Sequence, residues 1–127
     1  MVAEKEMSEL RLVTINTNTL SNETKRGQIV KECEFYKLDV AFIQESRITG
    51  KGNNEYGKYR MIHSGFASKR EASVDFVLSP KVDLIDIYFD TSSERLLMIL
   101  VVIGGNRFAM INGYAPTDTV TTKSSSK

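Results

Sequence analysis

The residue in this chain best placed to do chemistry is Glu45, which closes the run Leu38-Asp39-Val40-Ala41-Phe42-Ile43-Gln44-Glu45-Ser46-Arg47. The apolar part of that run reads as a buried strand, and its carboxyl end is where open α/β sheets place their sites. A carboxylate held there suits a hard cation such as magnesium, whose octahedron is completed by water and substrate phosphate. A single glutamate after a strand is by default a solvated loop residue, so its companions decide its weight. Arg47, Lys51, Lys58 and Arg60 follow it and could contact a phosphate backbone, although exposed loop cations are more often simply solvated. The one histidine, His63, sits mid-strand before Gly65 and reads as structural or solvated rather than as a base. The single cysteine, Cys33, has no partner for an internal disulfide, and its place on the apolar face of a predicted helix makes it a core thiol.

The elements that must carry these residues can be read from periodicity. Leu10, Leu12, Thr14 and Asn16 alternate with Arg11, Val13 and Ile15, which predicts a strand in a sheet covered on both sides. From Ser21 the pattern changes. Ser21, Asn22 and Thr24 are candidate N-caps, and Ile29, Val30, Cys33 and Tyr36 or Lys37 fall at helical spacing, so an amphipathic helix is expected over roughly residues 23–37. The next strand then lies parallel to the first, joined by a right-handed crossover. Tyr59 to His63, Ser73 to Leu78, Val82 to Phe89, Leu96 to Ile103 and Phe108 to Tyr114 are β-rich runs at hairpin spacings. Gly104-Gly105-Asn106 is the clearest turn among them. Thr49 to Tyr56, rich in Gly and Asn, reads as a mobile loop beside Glu45.

A chain of 127 residues, 41% hydrophobic and 26% charged, has room for one soluble domain with its own core. A formal charge of +1 excludes an overall basic field, so any nucleic-acid binding must be local. No stretch approaches the roughly 18 uninterrupted apolar residues of a membrane span. Residues 1–9 form a charged polar leader unlike a secretory signal, and the chain reads as intracellular. Residues 10–116 are expected to form the domain, and 117–127, nearly all Thr, Ser, Lys and Asp, a disordered tail.

Four pieces stand in a telling order: Val13-Thr14-Ile15-Asn16, Ile43-Gln44-Glu45-Ser46, Ser73-Val74-Asp75-Phe76-Val77-Leu78-Ser79, and Ile111-Asn112-Gly113-Tyr114-Ala115-Pro116-Thr117. Together they resemble the amino-terminal half of the endonuclease/exonuclease/phosphatase superfamily. The likeness is to its non-LTR retrotransposon endonucleases and the craniofacial-development-protein-like sequences derived from them. The resemblance implies magnesium-dependent hydrolysis of phosphodiesters with nicking of DNA. It implies that Glu45 binds the metal, that Asn16 hydrogen-bonds near metal and phosphate, that the Tyr114 hydroxyl approaches the scissile phosphate, and that Asn112 supports it. Ser93-Glu94-Arg95 matches a pattern that precedes the long strand in the family.

The departures from the family pattern carry equal weight. Ile15 stands where the family usually has Trp, and Ser73-Val74-Asp75 replaces Gly-Val-Gly, which could strain the strand or aim the Asp75 charge at the core. The family's Asp-x-Asn and Ser-Asp-His motifs, which orient the water and supply the general base, have no counterpart in this sequence. The expected fold class is therefore α/β (α+β), half of a four-layer αββα sandwich, with one mixed, mainly antiparallel sheet and one amphipathic helix. The expected chemistry is that of a truncated, crippled nuclease with weak magnesium binding or none. With the second sheet missing, strands such as Leu96 to Ile103 would keep an uncovered apolar face. That gives the alternative: a non-catalytic interaction module, a homo-oligomer or the partner of a complementary chain.

Overall fold

The computed structural model describes residues 10–17, 23–44, 51–64, 73–89 and 96–113. The elements run β1 (Leu12–Asn16), α1 (Glu23–Phe35), β2 (Val40–Gln44), β3 (Lys51–Tyr56), β4 (Tyr59–Ser64), β5 (Val74–Leu78), β6 (Asp83–Phe89), β7 (Leu96–Ile103) and β8 (Asn106–Gly113). The predicted β-α-β unit is present: β1 and β2 pair in parallel, with Asn16 beside Gln44 at their shared end. The helix stops at Phe35, short of Tyr36 and Lys37. Leu38 N–H donates to the Cys33 carbonyl at 2.9 Å and Lys37 N–H to that of Glu34 at 3.1 Å, and Lys37 takes φ 56°. This Schellman arrangement caps the last carbonyls and turns the chain into β2.

The α/β class with a single helix among the described residues and mainly antiparallel pairing is as expected, but the strands form two sheets, not one. Five strands run in the order β1-β2-β5-β4-β3, and a separate antiparallel sheet runs β6-β7-β8. The change of layer occurs at Ser79-Pro80-Lys81, where Val82 N–H donates to the Ser79 carbonyl at 3.1 Å and the Ser79 hydroxyl accepts from Lys81 N–H at 3.2 Å. Locally this is an ordinary turn. Only the burial of β5 on both faces shows that a second layer is needed, for Val74 through Leu78 are all buried.

Because the second sheet is present, the face of β7 expected to be bare is covered. Leu97, Ile99 and Val101 pack against Val40, Ile62, Val74, Phe76 and Leu78 of the larger sheet. The other side of that sheet meets α1 through Val30 and Cys33, against Ala41, Ile43, Met61 and Val77. Met61 and Met110 are buried as expected, whereas Met98 is half-buried. The core thus has two compartments separated by one sheet. Cys33 lies in the helix-side compartment, where burial first and the neighbouring Glu32 second push its thiol up to about 11. A thiol so protonated is packing, not a nucleophile.

Two more expectations change. The segment expected to be a mobile loop is, over Lys51–Tyr56, a strand paired with β4 through a turn at Gly57, whose φ is 65°. Gly and Asn have low strand propensity, but pairing along six residue positions overrides it. β1, expected to be covered on both sides, is covered only by the helix side. Val13 and Ile15 are half-buried there, while Leu12, Thr14 and Asn16 on the opposite face are exposed.

Phe76 sits at the centre of the sandwich, fully buried, with its ring edge-on to Phe42 at 4.9 Å. Phe76→Ala is expected to lower unfolding free energy by about 3–5 kcal/mol, the usual cost of a large core cavity, as read from the shift of the urea midpoint at unchanged slope.

Candidate functional site

The parallel pairing of β1 with β2 brings two amide side chains to one end of the larger sheet: Asn16 closes β1 and Gln44 closes β2. Thr17 reinforces this end, since its N–H and its hydroxyl both donate to the Gln44 carbonyl, at 3.1 and 3.3 Å. Asn16 and Thr17 make further interactions and are held, not loose.

From the other sheet comes Asn112, near the end of β8 and only 2% exposed. Its Nδ2 donates to the carbonyls of Asp75 at 2.8 Å and Ile43 at 3.0 Å, and its Oδ1 accepts from Gln44 Nε2 at 2.9 Å. One side chain therefore fastens β8 to both β5 and β2. In the dry space between sheets each of these bonds satisfies a group that would otherwise be costly to bury. The next residue in the chain after Gln44 is Glu45, and the next after Gly113 is Tyr114. Glu45, Arg47, Tyr114 and the Ser93-Glu94-Arg95 pattern lie outside the described residues, as do the leader and the tail. Of the sequence-selected site residues, Asn16 and Asn112 are described, and the structure brings them to the same end of the molecule through Gln44.

A second polar cluster lies on the helix side of the same sheet. His63 and Asp75 face each other across β4 and β5, with Nδ1 2.7 Å from Oδ2, and they are 3% and 0% exposed. His63 Nε2 lies 3.3 Å from Asn54 Nδ2. A proton on Nδ1 and a lone pair on Nε2 satisfy both contacts. The Asp75 carboxylate is thus aimed inward, as its position in place of a glycine suggested, and His63 is the group that receives it. Gly52 opposite leaves the ring its room, since a Cβ there would stand 3.1 Å from His63 Cδ2. With both ring nitrogens engaged and the ring buried, His63 holds strands together.

The cations expected around Glu45 are dispersed. Arg60 is in register with Leu78, which is in register with Val40, the first residue of β2. That is about 13 Å from the Gln44 end, at about 3.3 Å per residue. Arg60 instead donates to Asn53 Oδ1 at 3.0 Å and lies 3.7 Å from the Glu55 carboxylate. Lys58 occupies the turn beyond it. Lys51, opposite Ser64, is at the Gln44 end. Among the described residues no group of three or more His, Cys, Asp or Glu side chains could hold a metal ion.

No protein-family model matches the sequence, nor does any curated protein at a significant level. Solved structures do match. The chain aligns over 90% of its length with the endonuclease domain of TRAS1, a telomere-specific non-LTR retrotransposon, at TM-score 0.64 and 12% identity, covering 48% of that chain. An AP endonuclease from Archaeoglobus fulgidus aligns over 85% of this chain at TM-score 0.61 and 21% identity, with 42% of its own length covered. AP endonuclease LMAP from Leishmania major gives 84%, TM-score 0.62 and 14% identity, with 40% of its length covered.

The chain has an endonuclease/exonuclease/phosphatase-like fold. At such identities the likeness is one of fold, and the chain spans less than half the length of each of these endonucleases. Within this endonuclease-like fold Gln44 is the residue that sequence reasoning overlooked. Its signal was there: a polar side chain ending an otherwise apolar strand needs a partner in the sandwich, and only Asn112 of the other sheet supplies one among the described residues.

Removing the Asn112 amide takes one donor from each of the Ile43 and Asp75 carbonyls, which still face each other across the β2–β5 pair, and leaves the Gln44 amide N–H without its Asn112 acceptor. Asn112→Ala is expected to destabilise the fold by about 2–3 kcal/mol in urea unfolding, while Asn112→Asp, which keeps the shape but not the donor, does no better. A loss below about 0.5 kcal/mol for both would show that the sheets are held without it.

Proposed function

We propose that this chain carries the amino-terminal part of a magnesium-dependent phosphodiesterase site of the DNA-nicking kind. In this reading the Glu45 carboxylate holds the metal, Asn16 and the Tyr114 hydroxyl donate to the phosphate, Arg47 contacts the DNA backbone, and Asn112 acts as a positioning residue. The donor chemistry suits the ion, since a carboxylate with amide and hydroxyl oxygens nearby is a hard-cation environment. A bound magnesium would neutralise charge that develops on the phosphate as the ester bond breaks. The chain's own part is to orient that phosphate with neutral donors at or just beyond strand ends. The observation that supports this most strongly is the Gln44–Asn112 hydrogen bond, because it ties together the strand that leads into Glu45 and the strand that leads into Tyr114.

The same reading makes the chain a poor catalyst by itself. His63 is committed to Asp75 and Asn54, and the sequence has no Asp-x-Asn or Ser-Asp-His motif to activate a water. Loss of a general base alone costs about 10²–10⁴-fold, and loss of phosphate-positioning groups adds to it.

Two measurements on the purified chain test this. Supercoiled plasmid with magnesium should be nicked at least about 100-fold more slowly than by the TRAS1 endonuclease domain. Manganese, substituted as a paramagnetic probe, should broaden the NMR signals of Asn16 and Gln44 and cease to do so in Glu45→Ala. Nicking at the full rate, or a manganese effect unchanged by Glu45→Ala, would contradict the assignment.

A further inference from the structure

Asn112 is followed by Gly113, and of the seven asparagines in the sequence it is the only one followed by glycine. That pair carries a chemistry of its own. The backbone nitrogen of the second residue attacks the asparagine Cγ and closes a five-membered succinimide ring. The carboxamide nitrogen leaves as ammonia, taking the proton of the attacking amide, and water then opens the ring to aspartate or to isoaspartate. No other reactant is needed. Glycine is the most permissive second residue, because without a Cβ it neither shields its nitrogen nor resists the backbone twist that ring closure requires.

The fold opposes this reaction in two ways. Asn112 lies within β8, where an extended backbone holds Cγ away from the Gly113 nitrogen. Its carboxamide is also committed, with Nδ2 donating to the carbonyls of Asp75 and Ile43 at 2.8 and 3.0 Å and Oδ1 accepting from Gln44 at 2.9 Å. All three bonds run to the larger sheet. The side chain is therefore free to turn toward Gly113 only when the two sheets part at this end. Gly113 is exposed and forms the last pair of the β7–β8 ladder with Leu96, so the ladder frays from the reacting nitrogen inward.

We propose that Asn112-Gly113 is a self-modification site, which turns an opening of the site end into a permanent change. Neither product restores the clamp. An aspartate at this position sets a carboxylate oxygen against the Ile43 and Asp75 carbonyl oxygens where an N–H stood, and it buries a charge. An isoaspartate carries the main chain through its β-carbon, and the added methylene puts the strand end out of step with β7. The ammonia is lost, so closing the sheets again does not return the asparagine. The rate of conversion is the open fraction multiplied by the rate of an unfolded Asn-Gly pair, which makes Asn112 a record of how often the two sheets have separated. Neither the metal nor Glu45 takes part, so this modification stands or falls apart from the phosphodiesterase reading.

The test holds the full chain at neutral pH, folded and in urea, and follows each asparagine by peptide mass spectrometry as its NH2 is exchanged for OH. In urea Asn112 should convert fastest of the seven asparagines. In the folded chain it should convert at least about 100-fold more slowly. Gln44→Ala, which releases Oδ1, should speed conversion in the folded chain about fivefold, the equivalent of one hydrogen bond, and leave the rate in urea unchanged. Gly113→Ala should slow conversion in urea about tenfold or more. Converted chain returned to buffer should unfold at a lower urea midpoint than unconverted chain. Equal rates at Asn112 in the folded chain and in urea, a faster asparagine elsewhere in urea, an unchanged rate in folded Gln44→Ala, or converted chain with the unconverted midpoint would each overturn the proposal.

Discussion

Everything at the candidate site depends on one buried side chain. Asn112 belongs to the smaller sheet, but all three of its hydrogen bonds reach the larger one, to Gln44, Ile43 and Asp75. Face-to-face sheets about 10 Å apart are otherwise held by apolar contact, which resists separation but permits sliding. A polar side chain with its donors and acceptor committed across the gap does not permit sliding, because any shift leaves buried groups unpaired. The hydrophobic layer of Phe76, Ile99 and Val101 supplies attraction, and Asn112 sets the register.

In the phosphodiesterase reading proposed above, fixing that register matters because of where the bonds fall. Phosphate chemistry with neutral donors relies on groups held to within a fraction of an ångström, and strand ends braced by a second layer provide this where loops do not. Another buried polar contact, His63 with Asp75, braces the opposite face of the same sheet one position further in. The end of the sheet that leads into Glu45 is thus stiffened on its sandwich side by Asn112 and on its helix side by the histidine. Charge at the far end, around Arg60 and Glu55, is paired locally and does not reach it.

The parts of this fold that were legible in the sequence are those set by local chemistry. Helical spacing of Val30 and Cys33, the apolar run into Gln44 and the double glycine at 104 and 105 each dictated an element that the structure contains. What was not legible depends on contacts distant in sequence. Ser79-Pro80-Lys81 has the composition of a hairpin turn, and nothing local shows that it sends the chain to a second sheet. Lys51–Tyr56 has the composition of a loop and becomes a strand because β4 pairs with it. Asn16, Glu45, Asn112 and Tyr114 were selected by motif; the part played by Gln44 required knowing that β8 crosses over β2. Lys58 and Arg60, near Glu45 in sequence, are distant because a hairpin carries them to the other end of the sheet.

Whether a single amide fixes the two sheets at the site end can be read from the NMR behaviour of the Asn112 side chain. The structure requires two Nδ2 protons that exchange slowly with solvent and show couplings across hydrogen bonds to the carbonyl carbons of Ile43 and Asp75. Asn112 protons that exchange at the rate of a solvated asparagine, without those couplings, would mean that the sheets are registered by apolar packing alone and that Asn112 does not brace the site end.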